Sequence, residues 1–187
     1  MKNNEWYCSV DIETNGPIAP NNSMLSLGAA AFSVDGKLID TFSINFQELE
    51  GSHADSATMK WWQENKEAYE ATRINMVKPA KAIEQFVNWV NKHEGKPTFI
   101  GYPATFDFSF VYYYIVNFGL KSPFSFSALD IKTYVSAMLK LPYRESTKKN
   151  MPKRWFSDAK HTHIALDDAI EQGQLFCAML KENIGND

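Results

Sequence analysis

Cysteine is scarce in this chain of 187 residues: there are two, Cys8 and Cys177. A disulfide scaffold or a structural zinc site needs more thiols, or these two in closer spacing, so both are read as core residues of a protein in a reducing compartment. Long apolar runs are also missing. The greasiest stretch, Phe106 to Leu120, carries Asp107 and Asn117 inside it, short of the roughly 18 uninterrupted apolar residues that a membrane helix needs. The opening residues, Met1-Lys2-Asn3-Asn4-Glu5-Trp6, are polar where a secretion signal has an apolar segment, so a cytoplasmic protein with no membrane contact is expected. Positive charge is in short supply too, with a net charge of −3, which argues against a protein that binds polyanions by bulk attraction.

What is present describes a folded domain. Hydrophobic residues make up 44%, aromatic residues 14% and charged residues 22%, which excludes wholesale disorder and coiled-coil character. The length suits one domain over residues 1–187. The charge is unevenly spread: Lys140, Arg144, Lys148, Lys149, Lys153, Arg154 and Lys160 face only Glu145 and Asp158 in one stretch. A run of this kind either steers a phosphate backbone, which the overall charge conceals, or is a solvated loop, the commoner case.

Alternation predicts a first strand over Trp6 to Ile12, a second over Met24 to Val34 and a third over Lys37 to Phe46. Asp35-Gly36 signals a type I′ hairpin between the last two. Short helices follow from Ala57, then a longer amphipathic one from Pro79 to Lys92. A fourth strand is expected at Pro97 to Tyr102, a helix from near Thr105 or Phe106, and a fifth strand at Pro123 to Leu129. Asp130 stands as the cap of the next helix, and a final helix runs from Ile164 to about Glu182. The order predicts an α/β protein: a mixed five-stranded central sheet, three antiparallel strands first, with helices on both faces.

Three groups of residues stand out for chemistry. Asp11 and Glu13, two apart at the end of the first strand, point to the same side and can share a cation. Asp107 sits in the apolar run Phe106-Asp107-Phe108 at the mouth of a helix, where a lone carboxylate is costly unless a cation or N–H donors meet it; helix capping is the plainer explanation. His163 lies just before the last helix, with Asp168 five residues on, so the two can flank one pocket. His53, His93 and His161 read as surface or capping groups.

Together and in this order, the residues resemble the DEDDh group of 3′–5′ exonucleases. Asp11-Ile12-Glu13-Thr14 is similar to the group's first motif, Phe106-Asp107 to its second, and His163 to Ala169 to its third. Leu25-Ser26-Leu27-Gly28-Ala29 and Leu129-Asp130 resemble intervening segments. Thr58-Met59-Lys60-Trp61-Trp62 is similar to a bacterial and phage branch with a T-x-x-W-W segment. The chain departs from the group at Pro103, where many relatives have Asn, and in Asn15-Gly16-Pro17, where many relatives continue the first motif as D-x-E-T-T-G.

The resemblance implies a ribonuclease H-like fold and hydrolysis of single-stranded nucleic acid from the 3′ end to nucleoside 5′-monophosphates, with RNA favoured over DNA. It also implies two divalent cations, Mg²⁺ or Mn²⁺. Asp11 would bridge both, Glu13 and Asp168 would hold the water-activating one, and Asp107 would support the leaving-group side. His163 would take the proton from water. Thr14, Asn15, Met59, Trp62, Lys149 and Arg154 are the expected substrate contacts, with Trp61 in the core. Some members are homodimers that complete the substrate site from a second chain, so a homodimer is compatible with the likeness. The competing readings are a DNA exonuclease of repair or proofreading type and a nuclease-like binding module without activity.

Overall fold

The structure, a computed structural model, describes residues 5–156 and 162–185. Three strands, β1 (Glu5–Thr14), β2 (Met24–Ser33) and β3 (Leu38–Asn45), form an antiparallel meander. The helices α1 (Ser56–Glu64), α2 (Lys66–Thr72) and α3 (Pro79–Asn91) come next. They are followed by β4 (Lys96–Gly101), α4 (Ala104–Asn117), β5 (Leu129–Asp130) and α5 (Ile131–Leu139). Three 3₁₀ turns, at Tyr143–Glu145, Lys148–Asn150 and Lys153–Trp155, lead to α6 (Ala165–Asn183). The sheet order is β3-β2-β1-β4-β5, with β4 parallel to both β1 and β5. No helix among the described residues is long and apolar enough to cross a membrane.

Period-2 geometry in β1 divides the core. Trp6, Cys8, Val10 and Ile12 point into the layer with Phe86 and Val90 of α3 and Phe110 and Tyr114 of α4. Tyr7 points into the opposite layer with Val135 of α5 and Phe176 of α6. Asp11 and Glu13 continue the odd-numbered run, so they emerge on the α6 side at the strand's C-terminal end. Gln172 ties the layers by donating from Nε2 to the Val10 carbonyl at 2.8 Å. Both cysteines are buried and free.

Several expectations need correction. The β2–β3 turn has three residues, not two: Ser33 N–H donates to Lys37 O, and Gly36 alone takes a positive φ, of 81°. A three-residue loop closed by a left-handed glycine is the next commonest hairpin connection after the two-residue turns. The fifth strand is only Leu129–Asp130. Upstream of it, the Ser122 and Ser125 hydroxyls accept from nearby backbone N–H groups, Phe124 at 3.2 Å and Ser127 at 3.4 Å, and such local bonds compete with a ladder. His93 is not a surface group: its ring packs between Trp6 and Trp89, each 5.1 Å away between centroids. Burial lowers its pKa. Asp158, Lys160 and His161 lie outside the described residues.

Candidate active site

The C-terminal end of β1 gathers four carboxylates from three elements. Asp11 and Glu13 come from β1, Asp107 from the first turn of α4 and Asp168 from the first turn of α6. Asp11 and Glu13 are half-buried, whereas Asp107 and Asp168 are buried. A bulge between Glu13 and Thr14 ends the regular pairing with β2 there, a common device for re-aiming side chains beside a site.

Asp107 does not cap its helix. Pro103 holds the cap position, and the Asp107 carboxylate accepts instead from the backbone N–H of Ile12 at 3.2 Å, a contact linking α4 to β1. Asp130 fixes the same corner by accepting from Ala104 N–H at 3.0 Å and capping α5 at Thr133 N–H, 2.7 Å. On the other side, Gly28 faces Asp11 across the β1–β2 pair. A methyl group on Gly28 would overlap the backbone of Ala165 and Leu166, so the start of α6 lies directly on the sheet and carries Asp168 over the β1 end.

His163 precedes α6 in the left-handed backbone region, with φ 56°, a conformation uncommon outside glycine that histidine adopts more readily than most residues. One ligand atom from each of Glu13, His163 and Asp168 lies within 4.8 Å of the others. The imidazole meets the Trp61 ring edge to face, 4.9 Å between centroids and 89° between planes.

The electrostatics are those of like charges crowded out of water. Burial raises the pKa of Asp11 well above the ordinary carboxylate range, and the charges of Asp107, Glu13 and Asp168 add to it while Lys148 opposes them. Burial, Asp168 and Asp107 push Glu13 up to about 8. Burial pushes Asp107 up to about 8 against the opposing hydrogen bond from Ile12. An all-oxygen set of this density, with one imidazole at its rim, suits hard divalent cations.

The expected substrate contacts fare unequally. Trp62 is 1% exposed and donates from Nε1 to the Thr14 carbonyl at 2.9 Å, so it anchors α1 to β1 and offers no face to a base. Trp61, expected in the core, is 38% exposed and stands beside His163. Thr14 and Asn15 are buried and turned inward. Thr14 donates from Oγ1 to Gly16 O, and Asn15 accepts at Oδ1 from Ser23 N–H. Arg154 forms an ion pair with Glu182 near the far end of α6, fourteen residues from Asp168 or about 21 Å at the helical rise, and is not part of the cluster. Met59 is half-buried on α1, and Lys149 is exposed.

Two cavities adjoin these groups. One of about 400 Å³ opens between His163 and residues Gln63 to Ala68 of the α1–α2 region. Another of about 390 Å³ is lined by Asp11, Asp168, Tyr102, Lys148, Glu171 and Gln172. Glu171 and Gln172 lie one turn beyond Asp168, a spacing that could have marked them as sharing its face.

Comparison with known proteins identifies the family and the fold. Residues 7–180 match the family described as the 3′–5′ exoribonuclease Rv2179c-like domain. The chain is 30% identical over 175 residues to the 3′–5′ DNA exonuclease Cap18 of Escherichia coli, covering 92% of this chain and 90% of that protein. Among solved structures, it is similar to the nuclease domain of 3′hExo, a DEDDh family member bound to rAMP. The TM-score is 0.69 at 14% identity, covering 96% of this chain and 92% of the other. It is also similar to S. pombe Pop2p in a form with bound Mg²⁺ and Mn²⁺, with a TM-score of 0.71 at 14% identity and coverage of 97% and 85%. The ribonuclease H-like fold is thus shared.

Proposed function

The chain belongs to the Rv2179c-like 3′–5′ exoribonuclease domain family and is a 3′–5′ exonuclease of DEDDh type, and from that premise we propose that it shortens single-stranded RNA or short oligonucleotides to nucleoside 5′-monophosphates. The observation that carries this reading is the convergence of Asp11, Glu13, Asp107 and Asp168 beside His163 at the end of β1.

The four carboxylates would hold two divalent cations, Mg²⁺ or Mn²⁺, a choice supported by their oxygen donors and by the Mg²⁺ and Mn²⁺ bound to Pop2p. Such a pair supplies charge neutralisation on the phosphate and eases attack and departure along one line. The protein's own part is to hold and orient. Asp107 is fixed by Ile12 N–H, Asp168 by the seating of α6 at Gly28, and His163 accepts the proton of the attacking water. The cleft between His163 and α2 receives the terminal nucleotide, and Lys149 meets the strand beyond it.

Trp61 acts through His163. Trp61→Ala is expected to lower kcat about 3–10-fold with little change in KM, in line with the 0.5–1.5 kcal/mol that such ring pairs carry, and Trp61→Phe should restore most of it. A loss confined to KM would instead make Trp61 a base-stacking platform. Trp62→Ala differs in kind, costing about 3–5 kcal/mol of stability because the ring is fully enclosed.

A second reading, single-stranded DNA as substrate, is favoured by the likeness to Cap18. The deciding experiment follows 5′-labelled RNA and DNA strands of one sequence with Mn²⁺, Mg²⁺ or EDTA. The expected result is a metal-dependent ladder shortening from the 3′ end, faster on RNA. A faster DNA ladder selects the second reading, and binding without cleavage of either strand overturns both.

A further inference from the structure

Among the described residues of the basic loop, Lys148 is the cation that lines a cavity with the carboxylate cluster. It sits on the 3₁₀ turn Lys148–Asn150, and its Nζ donates to Glu171 Oε2 at 2.6 Å. The loop beneath it is tied down by Ser146, which is buried and whose carbonyl accepts from Tyr102 Oη at 3.1 Å, and by Asn150 Nδ2 donating to Glu145 O at 2.7 Å. Glu171 is 10% exposed at its side chain, so the ammonium is held against a nearly enclosed carboxylate on the same turn of α6 as Asp168. Lys148 and Glu171 line one cavity with Asp11 and Asp168, whereas His163 lines others, toward α2 and toward β2 and β3. Asp11 feels the charge of Lys148.

Hydrolysis at phosphorus runs in line, so water enters on one side and the leaving oxygen departs on the other. His163 marks the entry side, grouped with Glu13 and Asp168. Resting on the exonuclease reading above, we infer that Lys148 is a catalytic residue that donates a hydrogen bond and positive charge to the departing 3′-oxygen, with Glu171 as its positioning residue. In that step the water oxygen forms the new P–O bond and gives a proton to His163. The P–O3′ bond breaks with its electron pair on the 3′-oxygen, which Lys148 stabilises until solvent protonates it. A fixed donor aimed at charge that develops only as the bond breaks accelerates the chemical step.

The test varies the leaving group. Lys148→Gln is assayed on a labelled strand and on the p-nitrophenyl ester of a nucleoside 5′-monophosphate, whose leaving phenolate is a far weaker base than a sugar alkoxide. The expected loss in kcat is roughly 10²-fold on the strand, the usual effect of removing one such donor, and at least about tenfold smaller on the ester. Glu171→Gln, which leaves Lys148 in place with a neutral partner, should shift the same ratio in the same direction by less, and Lys148→Arg should restore it toward the wild-type value. Equal losses on both substrates, or a change in KM alone, overturn the leaving-oxygen role while the exonuclease reading stands. Failure of the unaltered protein to cleave either substrate overturns both.

Discussion

Asp11→Asn is expected to abolish turnover and, in the metal-free protein, to raise the melting temperature. Both effects come from the same crowding. The pKa values of Asp11, Glu13 and Asp107 are all raised in the folded state, so the fold prefers them protonated. A carboxyl group raised in this way favours folding at pH values below its ordinary pKa and loses that contribution as pH climbs to its folded value, here about 8 for Glu13 and Asp107. The metal-free protein therefore weakens between about pH 4 and 8, the ordinary and shifted carboxyl values. Deleting the Asp11 charge relieves its neighbours.

Single stabilising substitutions commonly give about 0.5–2 kcal/mol, and a chain of this size gains about 2–4 °C per kcal/mol. Melting curves in EDTA at pH 6 and pH 8.5 read the effect, with the larger gain at the higher pH. Mn²⁺ should raise the melting temperature of the unaltered protein and do much less for the variant. Identical melting temperatures for the two proteins at pH 8.5 without metal would show that the four carboxylates do not repel one another as their placement requires.

His163→Ala is expected to lower kcat by roughly 10²–10⁴-fold, the range for loss of a general base. The carboxylate set is untouched, so stabilisation by Mn²⁺ should persist. That pairing separates a proton-accepting role from a structural one: a variant that still takes up the cation yet turns over slowly has lost chemistry rather than the site. Near-native turnover would remove His163 from the mechanism and assign the water's proton elsewhere.

The parts of the site that follow from local periodicity were legible in the sequence. Two residues apart on a strand, Asp11 and Glu13 had to share a face, and the strand's even-numbered apolar residues showed which face was left for them. His163 and Asp168 were placed by the start of the last helix. Asp107 was legible only as a problem, a carboxylate in apolar company. Its solution, the Ile12 N–H, comes from 95 residues away, and no local pattern reports such a contact. The adjacent tryptophans failed for a similar reason. Two neighbours on a helix differ by about 100° in direction, so only one can face inward, and the choice of Trp62 is made by a bond to the Thr14 carbonyl. Thr14 and Asn15 follow Asp11 and Glu13 in sequence, yet their side chains are spent on the loop, Thr14 on Gly16 and Asn15 on Ser23. Charge counting likewise could not tell Lys148, held by a carboxylate on the helix of Asp168, from Arg154, engaged by Glu182 far along it.

Gly28 carries no functional group, yet it governs whether the other residues can work. The backbone of Ala165 and Leu166 occupies the place a methyl group would take, so an alanine there would lift the start of α6 and move Asp168 and His163 together. A displacement of about 1 Å in reacting groups is enough to cost on the order of 10²-fold in rate. When genomes are surveyed for active members of this family, a tally of the four acids and the histidine will therefore overcount. A homologue with all five but a bulkier residue opposite the first aspartate belongs with the doubtful cases, and the glycine should be scored as part of the signature.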